Sequence, residues 1–182
     1  GFEDEFQRAQ ARFRQVYGPH LEKEILTVCP TCTATLRDEY GLQVKHALVA
    51  VAEKVQELPI KPLNRRVTYH DPCHLGRMLG VIEEPRQILK ALGLGLVEME
   101  HHGIFSTCCG GGGGVFDVDR ALAVEVAKNR VRDAVAVGVD IIVTACPTCQ
   151  PTLLRGAGRL VNELGVFVDV LDLWELLDQA LD

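Results

Sequence analysis

Two adjacent thiols followed by five glycines, Ser106-Thr107-Cys108-Cys109-Gly110-Gly111-Gly112-Gly113-Gly114, constrain this chain more than any other stretch. Neighbouring cysteines cannot comfortably bond to each other, yet both can ligate one group of metal ions where the backbone is free to bend. The glycines supply that freedom. Cys73 lies upstream and Cys146-Pro147-Thr148-Cys149 downstream, so five of the seven cysteines form the pattern C-x34-CC-x36-C-x2-C. An odd number of cysteines in this grouping is not the framework of a secreted disulfide protein. A metal site in a cytoplasmic protein fits it better.

The rest of the composition narrows the alternatives. At 182 residues, 47% hydrophobic and 24% charged, the chain has length for one core or two small ones. Its net charge of −6 is spread without a basic patch and only 5% of its residues are aromatic, which excludes a stacking surface for nucleic acid. Apolar runs such as Val139 to Ala145 are interrupted by Asp140 and are strand-sized, so no direct membrane span is expected.

Read in order, Phe2 to Tyr17 has the spacing of an amphipathic helix, with Phe6, Ala9, Phe13 and Val16 on one side and Gly18 as its stop. Glu24 to Val28 reads as a strand entering Cys29-Pro30-Thr31-Cys32, followed by helices over Thr33 to Tyr40 and Val44 to Glu57. Pro59, Pro62 and Asn64 mark a connection. Val67 to His70 is a strand ending at Asp71-Pro72-Cys73-His74, and Glu84 to Leu92 a helix. Leu96 to Glu100 is a strand, and a helix capped by Asp117 or Asp119 runs to Val137. Ile141 to Ala145 is a strand emptying into the second Cys-Pro-Thr-Cys. A helix to Leu164, a strand over Val166 to Val170 and a helix around Trp174 complete the chain. This alternation predicts an α/β fold, a parallel sheet with flanking helices and the cysteines on loops at the strands' carboxyl ends.

Leu26-Thr27-Val28-Cys29-Pro30-Thr31-Cys32 and Val143-Thr144-Ala145-Cys146-Pro147-Thr148-Cys149 align at an offset of 117, the difference of 146 and 29. Thr35-Leu36 continues the match at Thr152-Leu153. We read this as a duplication. On the same offset, the first copy's equivalents of Cys73, Cys108 and Cys109 fall before residue 1, where the chain starts at glycine without an initiator methionine. The expectation is the C-terminal portion of a two-repeat protein, with residues 1–62 the truncated first half and residues 63–182 the complete second.

Thiolates select zinc, copper(I) or iron–sulfur clusters. Five ligands, two of them adjacent, are too many for tetrahedral zinc and crowded for a cubane cluster. At Cys73, Cys108-Cys109-Gly110 and Cys146-Pro147-Thr148-Cys149 the chain resembles the CCG-domain family of cysteine-rich domains. That family includes heterodisulfide reductase subunits and the iron–sulfur subunits of glycolate, lactate and glycerol-3-phosphate oxidising complexes. Cys29-Pro30-Thr31-Cys32 matches the tail of a preceding copy.

The resemblance implies a non-cubane [4Fe-4S] cluster on Cys73, Cys108, Cys109, Cys146 and Cys149, in an oxidoreductase component that transfers electrons and reduces a heterodisulfide-like substrate. Heterodisulfide reductases cleave the disulfide between two such clusters, whereas only one ligand set is complete here. The chain also lacks the ferredoxin signature C-x2-C-x2-C-x3-C-P, so electrons must arrive from another segment or subunit. The implied partners are ferredoxin-type iron–sulfur and flavoprotein subunits, with a membrane quinone-reactive subunit as the route to any membrane association.

Two rival readings stand beside this one. An electron-transfer subunit would link a flavin dehydrogenase to quinone without substrate chemistry of its own. A zinc-stabilised interaction module would use the same thiols with zinc as its cofactor. Cys29 and Cys32 have three readings: a redox dithiol, half of a metal site completed elsewhere, or free thiols. His74 is the candidate catalytic residue, placed to deliver a proton to a substrate thiolate. His70 and His74 are also candidates to tune a cluster through hydrogen bonds to sulfur, against the alternative of satisfied polar groups at a strand end. His101 and His102 read as a solvated loop, and Arg77 as a surface arginine or an anion anchor. The glycine run lacks the spacing of a phosphate loop.

Overall fold

The computed structural model describes residues 2–181. Its first element, α1 (Glu3–Tyr17), carries Glu3, Asp4 and Glu5 in the opening turn, where negative charge suits the unpaired N–H groups. None of its residues is buried. Its apolar side meets a single aromatic, with Phe6 and Phe13 edge-on to Tyr40 at ring-centroid distances of 5.9 and 5.1 Å.

β1 (Ile25–Thr27) runs into the first Cys-Pro-Thr-Cys turn. Pro30 opens α2 (Pro30–Asp38), a position where its missing N–H forfeits no helical bond. Residues Val44 to Glu57, expected as one helix, divide into β2 (Val44–His46), α3 (Ala47–Ala52) and a 3-10 turn, Val55–Glu57. The cause is non-local: Val44, Lys45 and His46 pair in parallel with Ile25, Leu26 and Thr27. Local periodicity cannot reveal such a partner.

His46 then caps α3, its Nδ1 accepting from the Leu48 N–H at 3.3 Å. Burial pushes its imidazole down to about 4 from 6.5. The folded value lies below the unfolded one, so the stability His46 contributes is complete above pH 6.5 and is lost as pH falls toward 4. In that window only the unfolded chain takes the proton, at about 1.4 kcal/mol per pH unit. Urea unfolding of the metal-free protein should show on the order of 2 kcal/mol lost between pH 6.5 and 5 from this group. His46→Asn, which keeps a capping acceptor, should flatten that slope; an unchanged slope would assign the acid sensitivity to other groups.

The second part of the chain begins with β3 (Arg66–Tyr69), followed by a π-helical turn at His74–Met78, α4 (Glu83–Ala91) and β4 (Gly95–Leu96). After a long loop come α5 (Val115–Val118), α6 (Arg120–Ala136), β5 (Ile141–Thr144), α7 (Cys149–Leu164), β6 (Asp169–Asp172) and α8 (Leu173–Leu181). Of the two candidate caps, Asp119 is the one used, its carboxylate accepting from the Leu122 N–H at 2.9 Å. β4 is shorter than expected and β6 begins three residues later than expected, at Asp169.

The four strands form one parallel sheet in the order β4-β3-β5-β6, with Tyr69 beside Val143 and Ile142 beside Val170. Side chains alternate between its faces, as the strand period of two requires. Val67, Tyr69 and Val143 join a core with Leu48 of α3, Ile88 and Leu89 of α4, and Leu173 and Leu176 of α8. Ile142 and Val170 join the opposite core with Val131 and Ala134 of α6 and Leu153, Ala157 and Leu160 of α7. The fold is therefore α/β, a parallel sheet flanked by helices.

The proline-marked connection is tied down. The Lys61 N–H donates to Ala180 O at 2.8 Å and the Leu63 N–H to Leu92 O at 2.9 Å. Among the described residues no helix is long and apolar enough to cross a membrane. For the site, the decisive feature is that β3 and β5 are central neighbours. Their carboxyl ends, which carry Cys73 and Cys146, open side by side.

Candidate metal centre

Three loops meet above those strand ends. The first leaves β3 through His70, Asp71 and Pro72 to Cys73, where the π-helical turn begins. The second leaves β5 through Ala145 to Cys146, and Cys149 opens α7. The third brings in Cys108 and Cys109. All five of these cysteines line one cavity of about 200 Å³, with His74, Gly112, Gly113, Thr148 and Thr31 completing its wall. Cys109, Cys146 and Cys149 are buried and belong to the core between the sheet and the α6–α7 pair. Cys73 is half-buried and Cys108 exposed, so the cavity opens on their side.

The sulfurs are close enough to compete for protons. Cys108 is pushed far down, first by hydrogen bonds from the Cys109 and Cys73 thiols. The Gly110 N–H, 3.3 Å from its sulfur, adds to the effect. Cys146 is pushed down to about 6, first by a hydrogen bond from Cys149. Cys109 rises to about 11, first because it donates to Cys108, while Cys73 and Cys149 rise well above the ordinary range as donors to Cys108 and Cys109. Such a set cannot ionise fully on its own. A soft polycationic centre that replaces the protons satisfies all five thiolates at once, which is the chemistry these donors fit.

The Cysteine-rich domain (CCG) family model matches residues 67–153, the span that contains all five cysteines of the cavity. Over this span the chain is similar to the CCG family. The chain is 41% identical over 162 residues to a subunit of the fumarate reductase (CoM/CoB) of Methanothermobacter marburgensis, covering 86% of this chain and 32% of that protein. It is 38% identical over 171 residues to a subunit of the dihydromethanophenazine:CoB–CoM heterodisulfide reductase of Methanosarcina mazei, covering 87% and 41%. The probable iron-sulfur-binding oxidoreductase FadF of Bacillus subtilis is 35% identical over 168 residues, covering 87% and 24%. The chain thus spans well under half the length of these relatives.

Two glycines of the matched span do different work from the rest of the run. Gly110 has φ 85°, and a Cβ there would lie 2.5 Å from Ala123 O of α6. A Cβ on Gly111 would collide with Thr152 Oγ1, which is itself fixed by donating to Thr148 O at 2.8 Å. Backbone freedom was the sequence-based expectation for these residues; at Gly111 the requirement is close approach to α7. Gly111→Ala should therefore destabilise the metal-free protein by about 1–3 kcal/mol in urea unfolding. Combining it with Thr152→Ala should cost less than the sum of the two changes. Strict additivity would show that the loop does not press on Thr152.

Behind the thiols stand two charged assemblies that sequence reading missed. Asp71, buried, takes a bidentate ion pair from Arg86 at 2.8 and 3.0 Å and accepts from the Gly103 N–H at 2.7 Å. Arg130, buried on α6, donates to His70 Nδ1 at 3.2 Å, Ser106 Oγ at 3.1 Å and Asp133 at 3.1 Å. The signal for Arg130 was available, since it interrupts the buried stripe Ala123, Ala127, Val131, Ala134 at helical spacing. A cation in such a stripe needs a buried partner.

The remaining candidates fall at or outside the rim of the cysteine cavity. His74 lines the cavity, with Nδ1 at 3.4 Å from Cys73 Sγ. Cys29 and Cys32 do not line it, although Thr31 between them does. Cys29 is half-buried and Cys32 exposed; the Cys32 thiol is pushed up, first by a hydrogen bond with Cys29 and weakly by Cys146. Arg77 donates to Ile104 O and Ser106 O at 3.3 and 2.7 Å, so it latches the loop leading to the double cysteine. His101 and His102 are exposed, with His102 Nδ1 2.8 Å from Met99 O.

Proposed function

We propose that Cys73, Cys108, Cys109, Cys146 and Cys149 hold a non-cubane [4Fe-4S] cluster, and that the chain is part of an iron–sulfur oxidoreductase acting on a heterodisulfide-like substrate. The observation that carries this reading is the convergence of five free thiols, three of them buried, on one cavity of about 200 Å³. Five sulfurs exceed the four that tetrahedral zinc accepts. When bound, the cluster supplies one-electron redox chemistry.

The chain's own residues contribute position and protons. β3 and β5 aim Cys73 and Cys146 from a rigid sheet, and α7 fixes Cys149 at its first residue. Core packing around Cys109, Cys146 and Cys149 excludes water from that side. Reducing a disulfide to two thiols takes two electrons and two protons. The electrons come from ferredoxin-type or flavoprotein partner subunits. His74, at the open side beside Cys73, is the group placed to pass one proton to a departing thiolate, with solvent supplying the other.

One observation favours a second reading, in which the domain only relays electrons from a flavin dehydrogenase toward quinone. The cavity is smaller than the roughly 300–1,000 Å³ usual for small-molecule sites. A cluster would leave little of it for a substrate. The first test is anaerobic reconstitution with ferrous iron and sulfide, followed by metal and sulfide analysis and EPR. We expect a coloured protein with about four irons per chain; a colourless protein with one zinc and no iron would leave only a zinc-stabilised module. Disulfide turnover by the loaded protein, given an artificial electron donor, then separates substrate chemistry from electron relay.

A further inference from the structure

His70 is a buried group against the thiols that the proposed function does not use. It is 1% exposed, and one of its ring nitrogens lies in a group with Cys109 Sγ and Cys149 Sγ whose members are all within 4.8 Å of one another. Its Nδ1 accepts from Arg130 Nε at 3.2 Å. Arg130 Nε carries a hydrogen that it cannot lose, so the donor and acceptor roles in this pair are fixed. A neutral imidazole that accepts at Nδ1 must carry its hydrogen at Nε2. Nε2 has no hydrogen-bond partner among the described residues.

An orphaned N–H this deep in a protein costs free energy. The backbone of His70 is already paired, its O accepting from Thr144 Oγ1 at 3.2 Å and its N–H donating to Val143 O at 2.8 Å, so the ring N–H is what remains. The acceptors that the structure places beside the ring are the sulfurs of Cys109 and Cys149. A protonated Nε2 cannot ligate a metal, so His70 is not a sixth ligand. It is a donor waiting for a charged acceptor.

We propose that His70 is a positioning residue of the metal centre, whose Nε2–H donates to a sulfur of the bound cluster at Cys109 or Cys149 and makes that cluster easier to reduce. The inference rests on the cluster reading above. Reduction adds negative charge to the sulfurs, and a hydrogen bond to sulfur stabilises the reduced form more than the oxidised one. Arg130 does two things here. It fixes the tautomer of His70, and through Ser106 Oγ at 3.1 Å it ties that tautomer to the loop leading into Cys108 and Cys109.

The test is an EPR-monitored redox titration of the reconstituted protein beside His70→Asn and His70→Gln. Asn keeps an acceptor near Nδ1 for Arg130 and removes the Nε2 donor. Gln can return an amide N–H near the Nε2 position. We expect all three proteins to hold the same iron. His70→Asn should be about tenfold harder to reduce, a fall of about 59 mV for one electron, with His70→Gln recovering part of that fall.

A measurement on the unsubstituted protein guards against a variant that does not fold. With ring-15N histidine, pulsed EPR should show a weak nitrogen coupling and an exchangeable proton that disappears in deuterated water. Iron bound normally with an unchanged potential in His70→Asn overturns this inference alone. A strong nitrogen coupling, the mark of direct ligation, also overturns it alone. Failure of the unsubstituted protein to bind iron overturns the cluster reading and this inference together.

Discussion

Cys109→Ser and Cys149→Ser should each take anaerobically reconstituted protein from about four irons per chain to under about one, whereas Cys29→Ser/Cys32→Ser should load normally. Cys109 and Cys149 are each 3% exposed and sit among Ile142, Leu153 and Val170, in a core that keeps water from a vacated position. Their sulfurs lie within 4.8 Å of each other, so losing one removes a donor from the middle of the set. Serine is a harder ligand with a shorter reach, and it does not replace a thiolate for iron. Cys108→Ser, at the exposed edge, should show a smaller loss because water can complete that side. Cys29 and Cys32 lie outside the cavity wall, which is why their removal should leave iron content unchanged. Iron and acid-labile sulfide analysis, read against the circular dichroism of the metal-free variants, decides the matter. Loss of iron from Cys29→Ser/Cys32→Ser would move the first Cys-Pro-Thr-Cys turn into the ligand set.

The contrast between those two groups of cysteines also marks how far sequence reading could go. The strand-then-CPTC pattern placed Cys146 and Cys149 correctly at the end of β5, because a short apolar run broken by proline and cysteine has few other ways to fold. The spacing C-x34-CC-x36-C-x2-C is a property of the cysteines themselves, so their grouping was legible before any coordinates. What sequence could not show was pairing. β2 is a strand only because β1 lies beside it, and Val44 to His46 alone reads as the start of a helix. The role of Gly111 is set by Thr152, forty-one positions away, and the partner of Arg130 by His70, sixty positions away. Charge in a helix face was visible. The direction of its hydrogen bonds was not, since it depends on which strand end the helix covers.

Arg86→Met should destabilise the metal-free protein by about 3–5 kcal/mol, a cost that comes from the partner it strands in the interior. The Arg86 side chain is 13% exposed and that of Asp71 only 1%. Arg86 spans three acceptors, Asp71 at 2.8 and 3.0 Å, Glu98 at 2.7 and 3.2 Å and Ile82 O at 2.6 Å. Methionine fills much of the same volume but leaves the Asp71 carboxylate as an uncompensated charge in the interior, next to the Gly103 N–H that it must still hold at 2.7 Å. Asp71→Asn should cost less, because Arg86 keeps Glu98 and an amide oxygen still accepts from Gly103. The double variant Asp71→Asn/Arg86→Met should be more stable than Arg86→Met alone, since it removes the stranded charge. Gly103 begins the loop that Arg77 holds at Ile104 and Ser106 and that delivers Cys108 and Cys109 to the cavity. Arg86→Met should therefore lose iron as well as stability, although it touches no cysteine. Urea unfolding at pH 7 with iron analysis of the same samples tests both effects. A variant within about 1 kcal/mol of the unsubstituted protein would reduce the pair to a surface contact and leave the loop's position to its glycines.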